Sequence, residues 1–136
     1  MTLSAQHQEK FKQFCGLVLP GRGEMPNGST LGIELSLDDR VLARDCDLRM
    51  LVLRMLDQMD TPVDAVQLQR LESNELPDFR KLVTVACAAY YGDPVVRKIL
   101  GYSGQQALTL EKGGFGAEEL VLEMMEQPKR YRDPDC

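Results

Sequence analysis

Histidine is nearly absent from this chain, and that absence narrows its chemistry. There is one, His7, and no Cys-x-x-Cys pair. A histidine base needs an orienting carboxylate and a nucleophile within reach. His7 falls in the polar first turn of an expected terminal helix, with only Glu9 near it in sequence, and reads as a surface residue. One histidine without spaced cysteines also argues against zinc. The four cysteines, Cys15, Cys46, Cys87 and Cys136, are too widely spaced for a metal or redox motif. Cys15 and Cys87 lie among apolar neighbours and read as small buried hydrophobes, while Cys136 is expected to dangle.

Long apolar runs are missing too, so no membrane span is expected. Residues 1–9 are polar and lack the basic and apolar stretches of a signal peptide, and there is no twin-arginine pair. The expected compartment is the cytoplasm, where a disulfide framework is disfavoured. Basic residues are in deficit, 16 against 21 acids, for a formal charge of -5. Neutralising phosphates takes Lys and Arg, so non-specific binding to nucleic acid is not expected, nor is adsorption to anionic lipid.

What is present is an ordinary globular composition. The 136 residues are 43% hydrophobic and 27% charged. They predict an all-α fold, a compact irregular bundle of about six or seven helices. Residues 1–127 would form one helical domain and residues 128–136 an extended, charged tail. The first helix is expected over residues 4–18, capped by Ser4, with Phe11, Phe14, Cys15 and Val18 on one face, and Pro20 stops it. Residues 21–30 read as a loop. Its Gly21-Arg22-Gly23 does not qualify as a phosphate cradle, because no strand precedes it and Pro26 interrupts it.

Residues 30–37 alternate apolar and polar, which allows a short extended stretch. Ser36 and Asp39 have capping-box spacing and predict a helix start there. Asp47 is expected to open the clearest amphipathic helix, with Leu48, Leu51, Val52, Met55, Leu56 and Met59 on one face. Its methionines read as core filling rather than a partner groove. Thr61-Pro62 predicts a helix to about residue 71, broken by Ser73 and Asn74. The next helix points Leu76, Phe79, Leu82, Val83, Ala86 and Tyr90 inward and is apolar nearly all round in its later turns, as a central helix would be. Asp93-Pro94 starts a short helix to about residue 100, closed by Gly101. Residues 102–105 read as a turn, Gly113, Gly114 and Gly116 as a joint, and residues 117–126 as a last helix with Leu120, Val121, Met124 and Met125 on its apolar side.

No catalytic constellation emerges. The acidic clusters Asp38-Asp39 and Asp45/Asp47 are explained as helix-start features. The unusual segment is Tyr90-Tyr91-Gly92-Asp93-Pro94 followed by Gly101-Tyr102-Ser103-Gly104-Gln105. Tyrosine joins a large apolar area to a hydroxyl that wants a partner, so these side chains suit an interface as well as the anchoring of turns.

That segment resembles the gluconate 2-dehydrogenase subunit 3 family, small subunits that accompany GMC-type flavin-dependent dehydrogenases. The likeness runs through Leu17-Val18-Leu19-Pro20, Met25-Pro26, the Tyr-Tyr-x-Asp-Pro and Gly-Tyr-x-Gly-Gln motifs, and Tyr131-Arg132. The resemblance implies an accessory subunit with no cofactor of its own, docked on a large flavoprotein that holds FAD and performs the oxidation. It would support that subunit's maturation or stability. The partner-binding residues it implies are Tyr90, Tyr91, Asp93, Pro94, Gly101, Tyr102, Gly104 and Gln105. Many family members begin with a twin-arginine signal, which this sequence does not show. The alternative is a stand-alone helical domain that binds a small molecule or a partner helix.

Overall fold

Short polar side chains that accept free N–H groups of a first turn set most helix starts in this chain. The structure, a computed structural model, describes residues 3–43 and 45–105 together with Leu122, Met125 and Glu126. The described residues are all-α, with six α-helices, one 3-10 turn and no strand. Helix α1 (Ala5–Val18) is capped by Ser4 Oγ, which accepts from His7 N–H at 3.2 Å. Helix α3 (Cys46–Asp57) is capped by Asp45 and α4 (Ala65–Asn74) by Asp64, each carboxylate accepting an N–H at 2.8 Å. Helix α5 (Leu76–Gly92) carries Pro77 in its first turn, and α6 (Pro94–Ile99) is capped by Asp93. Helix α2 (Ile33–Arg40) has no side-chain cap; it is entered through Gly32 at φ 67.

Three expected helix starts move. The alternation over residues 30–37 is neither a strand nor a helix start at Ser36. A 3-10 turn (Gly28–Thr30) leads into α2, and Ser36 lies inside it. Ile33 and Leu37, four residues apart, share a buried face while Leu35 is exposed, so the pattern serves a helix period. Helix α3 begins at Cys46, ahead of Asp47, because Asp45 supplies the cap. Helix α4 begins at Ala65 and not at Pro62. Asp64, with extended backbone, supplies the carboxylate that accepts from Gln67 N–H and so caps the helix. The same helix runs on through Ser73 and Asn74, with Ser73 Oγ donating to Gln69 O.

The core gathers Phe11, Phe14 and Cys15 of α1, Leu37 of α2, Val52, Met55 and Leu56 of α3, and Phe79, Leu82 and Ala86 of α5. Phe14 meets Phe79 edge to face at 6.1 Å. Helix α5 packs against α2, α3, α4 and α6. It is central, although Leu76 and Ala88 are exposed and Cys87 is only half-buried, so one side stays open. Residues 21–30 are drawn onto α1. Asn27 Nδ2 donates to Gly16 O and Pro20 O, and Gly28 N–H donates to Leu19 O at 2.8 Å.

The chain divides into two compact units, Met1–Ser103 and Gly104–Cys136. In the second, Leu122, Met125 and Glu126 are helical, within the expected last helix, and Met125 is exposed rather than apolar-facing. The rest of that helix, the glycine joint, Tyr131-Arg132, Cys136 and the boundary expected after residue 127 lie outside the described residues. No helix among the described residues is long and apolar enough to cross a membrane.

Candidate functional site

The Tyr-Tyr-x-Asp-Pro motif spans the joint between α5 and α6, and each of its residues has a distinct duty. Tyr90 is buried at 3% exposure, and its hydroxyl donates to Pro26 O at 2.7 Å. It therefore acts as an anchor, fastening the end of α5 to the loop that follows α1. Burial, with Tyr91 adding a smaller effect, pushes its phenol above the ordinary value. Tyr91 meets the Tyr90 ring edge to face at 5.2 Å and is half exposed. Asp93 Oδ1 accepts from Val95 N–H at 2.9 Å, and Pro94 occupies the first helical position where its missing N–H costs nothing.

The Gly-Tyr-x-Gly-Gln motif closes α6. Gly101 takes φ 68, its N–H donates to Lys98 O, and Tyr102 N–H donates to Arg97 O. This pair of bonds is a Schellman ending, which requires a left-handed residue at that point. It aims Tyr102 back along the helix, where Arg97 lies over its ring at 4.9 Å. Tyr102 remains exposed. Gly104 has φ 92, Gln105 is exposed, and residues 102–105 are irregular rather than a turn. Gly104 and Gln105 open the second unit.

Residues 90–103 thus form a shoulder that carries both motifs as far as Ser103. A depression of about 230 Å³ is bounded by Leu19, Pro20, Gly21, Arg22, Met25, Tyr90 and Tyr91. A second, about 390 Å³, is bounded by Pro94, Arg97, Lys98, Gly101, Tyr102 and Ser103. Within residues 90–103, Tyr91, Val95, Leu100 and Tyr102 are each at least half exposed. No family model, curated protein or solved structure matches this chain.

Sequence reasoning missed one constellation. His7 is not a bare surface residue. Its Nε2 lies 2.8 Å from Asp57 Oδ1 and its Nδ1 2.9 Å from Ser4 Oγ. Asp57 is fifty positions away in sequence, so no local pattern could have shown it. Ser4 Oγ already caps α1, and Asp57 is largely exposed, so the trio fastens the start of α1 to the end of α3. Lys10, one turn on, is buried and donates from Nζ to Leu56 O at 3.1 Å. A cation there suits the negative end of α3. Among the described residues no group of three His, Cys, Asp or Glu is placed to hold a metal.

Proposed function

We propose that this chain is a non-catalytic docking subunit, and that its partner is a large FAD-dependent alcohol or sugar oxidoreductase of the GMC type whose maturation or stability it supports. The carrying observation is the shoulder itself. Within and between the two motifs, Tyr91, Val95, Leu100 and Tyr102 are each at least half exposed, while Tyr90 is buried and fastens the joint to the core. The resemblance of these motifs supports the choice of partner. The grooves around the shoulder are open to solvent, which favours a protein surface over an enclosed small-molecule site.

Co-expression with a candidate large subunit and purification through a tag on this chain tests the reading. A flavin-containing companion should co-elute in stoichiometric amount. Oxidation of an alcohol or sugar by the isolated chain would overturn the reading, as would a fully active flavoenzyme that never associates with it. Tyr102→Ala should weaken the complex by about 1–2 kcal/mol, as expected for an aromatic side chain near the centre of an interface. Affinity unchanged in a binding titration would remove Tyr102 from the contact.

A further inference from the structure

A purely apolar contact would leave Arg97 and Lys98 unexplained. Both lie in the last turn of α6, where cations suit the helix end. Neither forms an ion pair with a described residue, in a chain whose acids outnumber its bases 21 to 16. The nearest acid in sequence, Asp93, has Oδ1 committed to Val95 N–H. Arg97 Cζ lies over the Tyr102 ring at 4.9 Å, a cation–π contact that uses no N–H donor of the guanidinium. A guanidinium edge matches a carboxylate with two parallel hydrogen bonds. The groove they border has an aromatic wall in Tyr102 and a rigid one in Pro94.

We propose that the occupant of this groove is an acidic segment of the large subunit. A carboxylate is received by the Arg97 edge with Lys98 beside it, and an adjoining apolar residue packs on Tyr102 and Pro94. The proposal rests on the docking reading and specifies the chemistry of its partner's face. Polyanions fit less well. The chain's charge of -5 repels them, and two cations release few counterions from a nucleic acid. Anionic membranes recruit clusters of about four to eight cations, more than this shoulder holds.

The test uses the full chain and its co-purified flavoprotein, with affinity measured across a salt series. The wild-type Kd should rise about tenfold between about 0.05 M and 0.5 M salt, because the screening length falls below the reach of exposed charges. Arg97→Glu and Lys98→Glu should each slow association about tenfold at low salt and flatten the salt dependence. Arg97→Lys should restore only part of the affinity, since a point charge lacks the planar fork. Circular dichroism identical to wild type establishes that the variants are folded, and Lys98, being exposed, carries the test if Arg97→Glu is not. Charge reversals that bind as tightly as wild type, with an unchanged salt slope, overturn this inference and leave the docking reading standing. A wild-type chain that retains no flavoprotein at any salt overturns both. Sedimentation with vesicles of phosphatidylserine, or retention on DNA, that Arg97→Glu abolishes would assign the cations to those ligands and overturn it as well.

Discussion

Cys15 illustrates how a single side chain is defined by its surroundings. It is fully buried, and burial first, then Glu34 and Cys87, push its thiol up to about 12. The thiolate is the reactive form, so this cysteine is inert in the folded protein. Exposed Cys46 should be alkylated rapidly at mild alkaline pH, whereas Cys15 should react only on unfolding. Peptide mass spectrometry after timed iodoacetamide treatment reads the difference, and equal rates would contradict the buried placement. Phe14 touches both Phe11 and Phe79 at the centre of the core. Phe14→Ala should cost about 3–5 kcal/mol in urea denaturation, the range for emptying a packed aromatic site.

At the scale of elements, the shoulder depends on how α6 starts and on how the loop sits against α1. Asp93→Ala removes the carboxylate that accepts Val95 N–H and should cost about 1 kcal/mol. Its larger expected effect is on docking, because Val95 lies in the turn that frays and Tyr91 and Tyr102 flank that helix. Gly28 is constrained by space rather than by φ. A Cβ there would lie 2.7 Å from Cys15 O, a backbone atom of α1 that cannot swing aside. Gly28→Ala should therefore shift the loop and destabilise the protein by about 1–3 kcal/mol, as overpacking does. A thermal midpoint equal to wild type would show that the loop is not held against α1. Much of this scale is legible in the sequence. Ser4, Asp93 and Gly101 act within four residues of themselves, and the structure uses each as its residue type suggests.

Across the whole molecule, the buried thiol makes stability depend on alkaline pH. In the unfolded chain Cys15 gives up its proton near the ordinary value of 9.0, and in the folded chain only near 12. Above pH 9 the folded state therefore binds more protons than the unfolded one. Stability is fully present below 9 and is lost as pH rises towards 12. Tyr90 adds in the same direction above its ordinary value of 10.0. The urea midpoint should fall across this window, and it should fall less steeply for Cys15→Ala, whose own cavity cost is the same at every pH. Parallel slopes would show that Cys15 is not the group responsible.

The sequence by itself determined the helical class, the caps at Ser4 and Asp93, the ending at Gly101, the apolar face of α3 and the two motifs that become the shoulder. These follow from interactions spanning one helical turn or from a repeat of 3.6, which the chain carries wherever it folds. The helical period already turned Tyr90 inward, but tertiary structure alone decided that its hydroxyl meets Pro26 O. It also decided that His7 finds Asp57, that Lys10 is buried against α3, and that residues 33–40 are a helix. Each of these turns on a partner or a packing surface dozens of residues away. Such choices are made when the apolar faces close on one another, and no local pattern encodes which neighbour will be there.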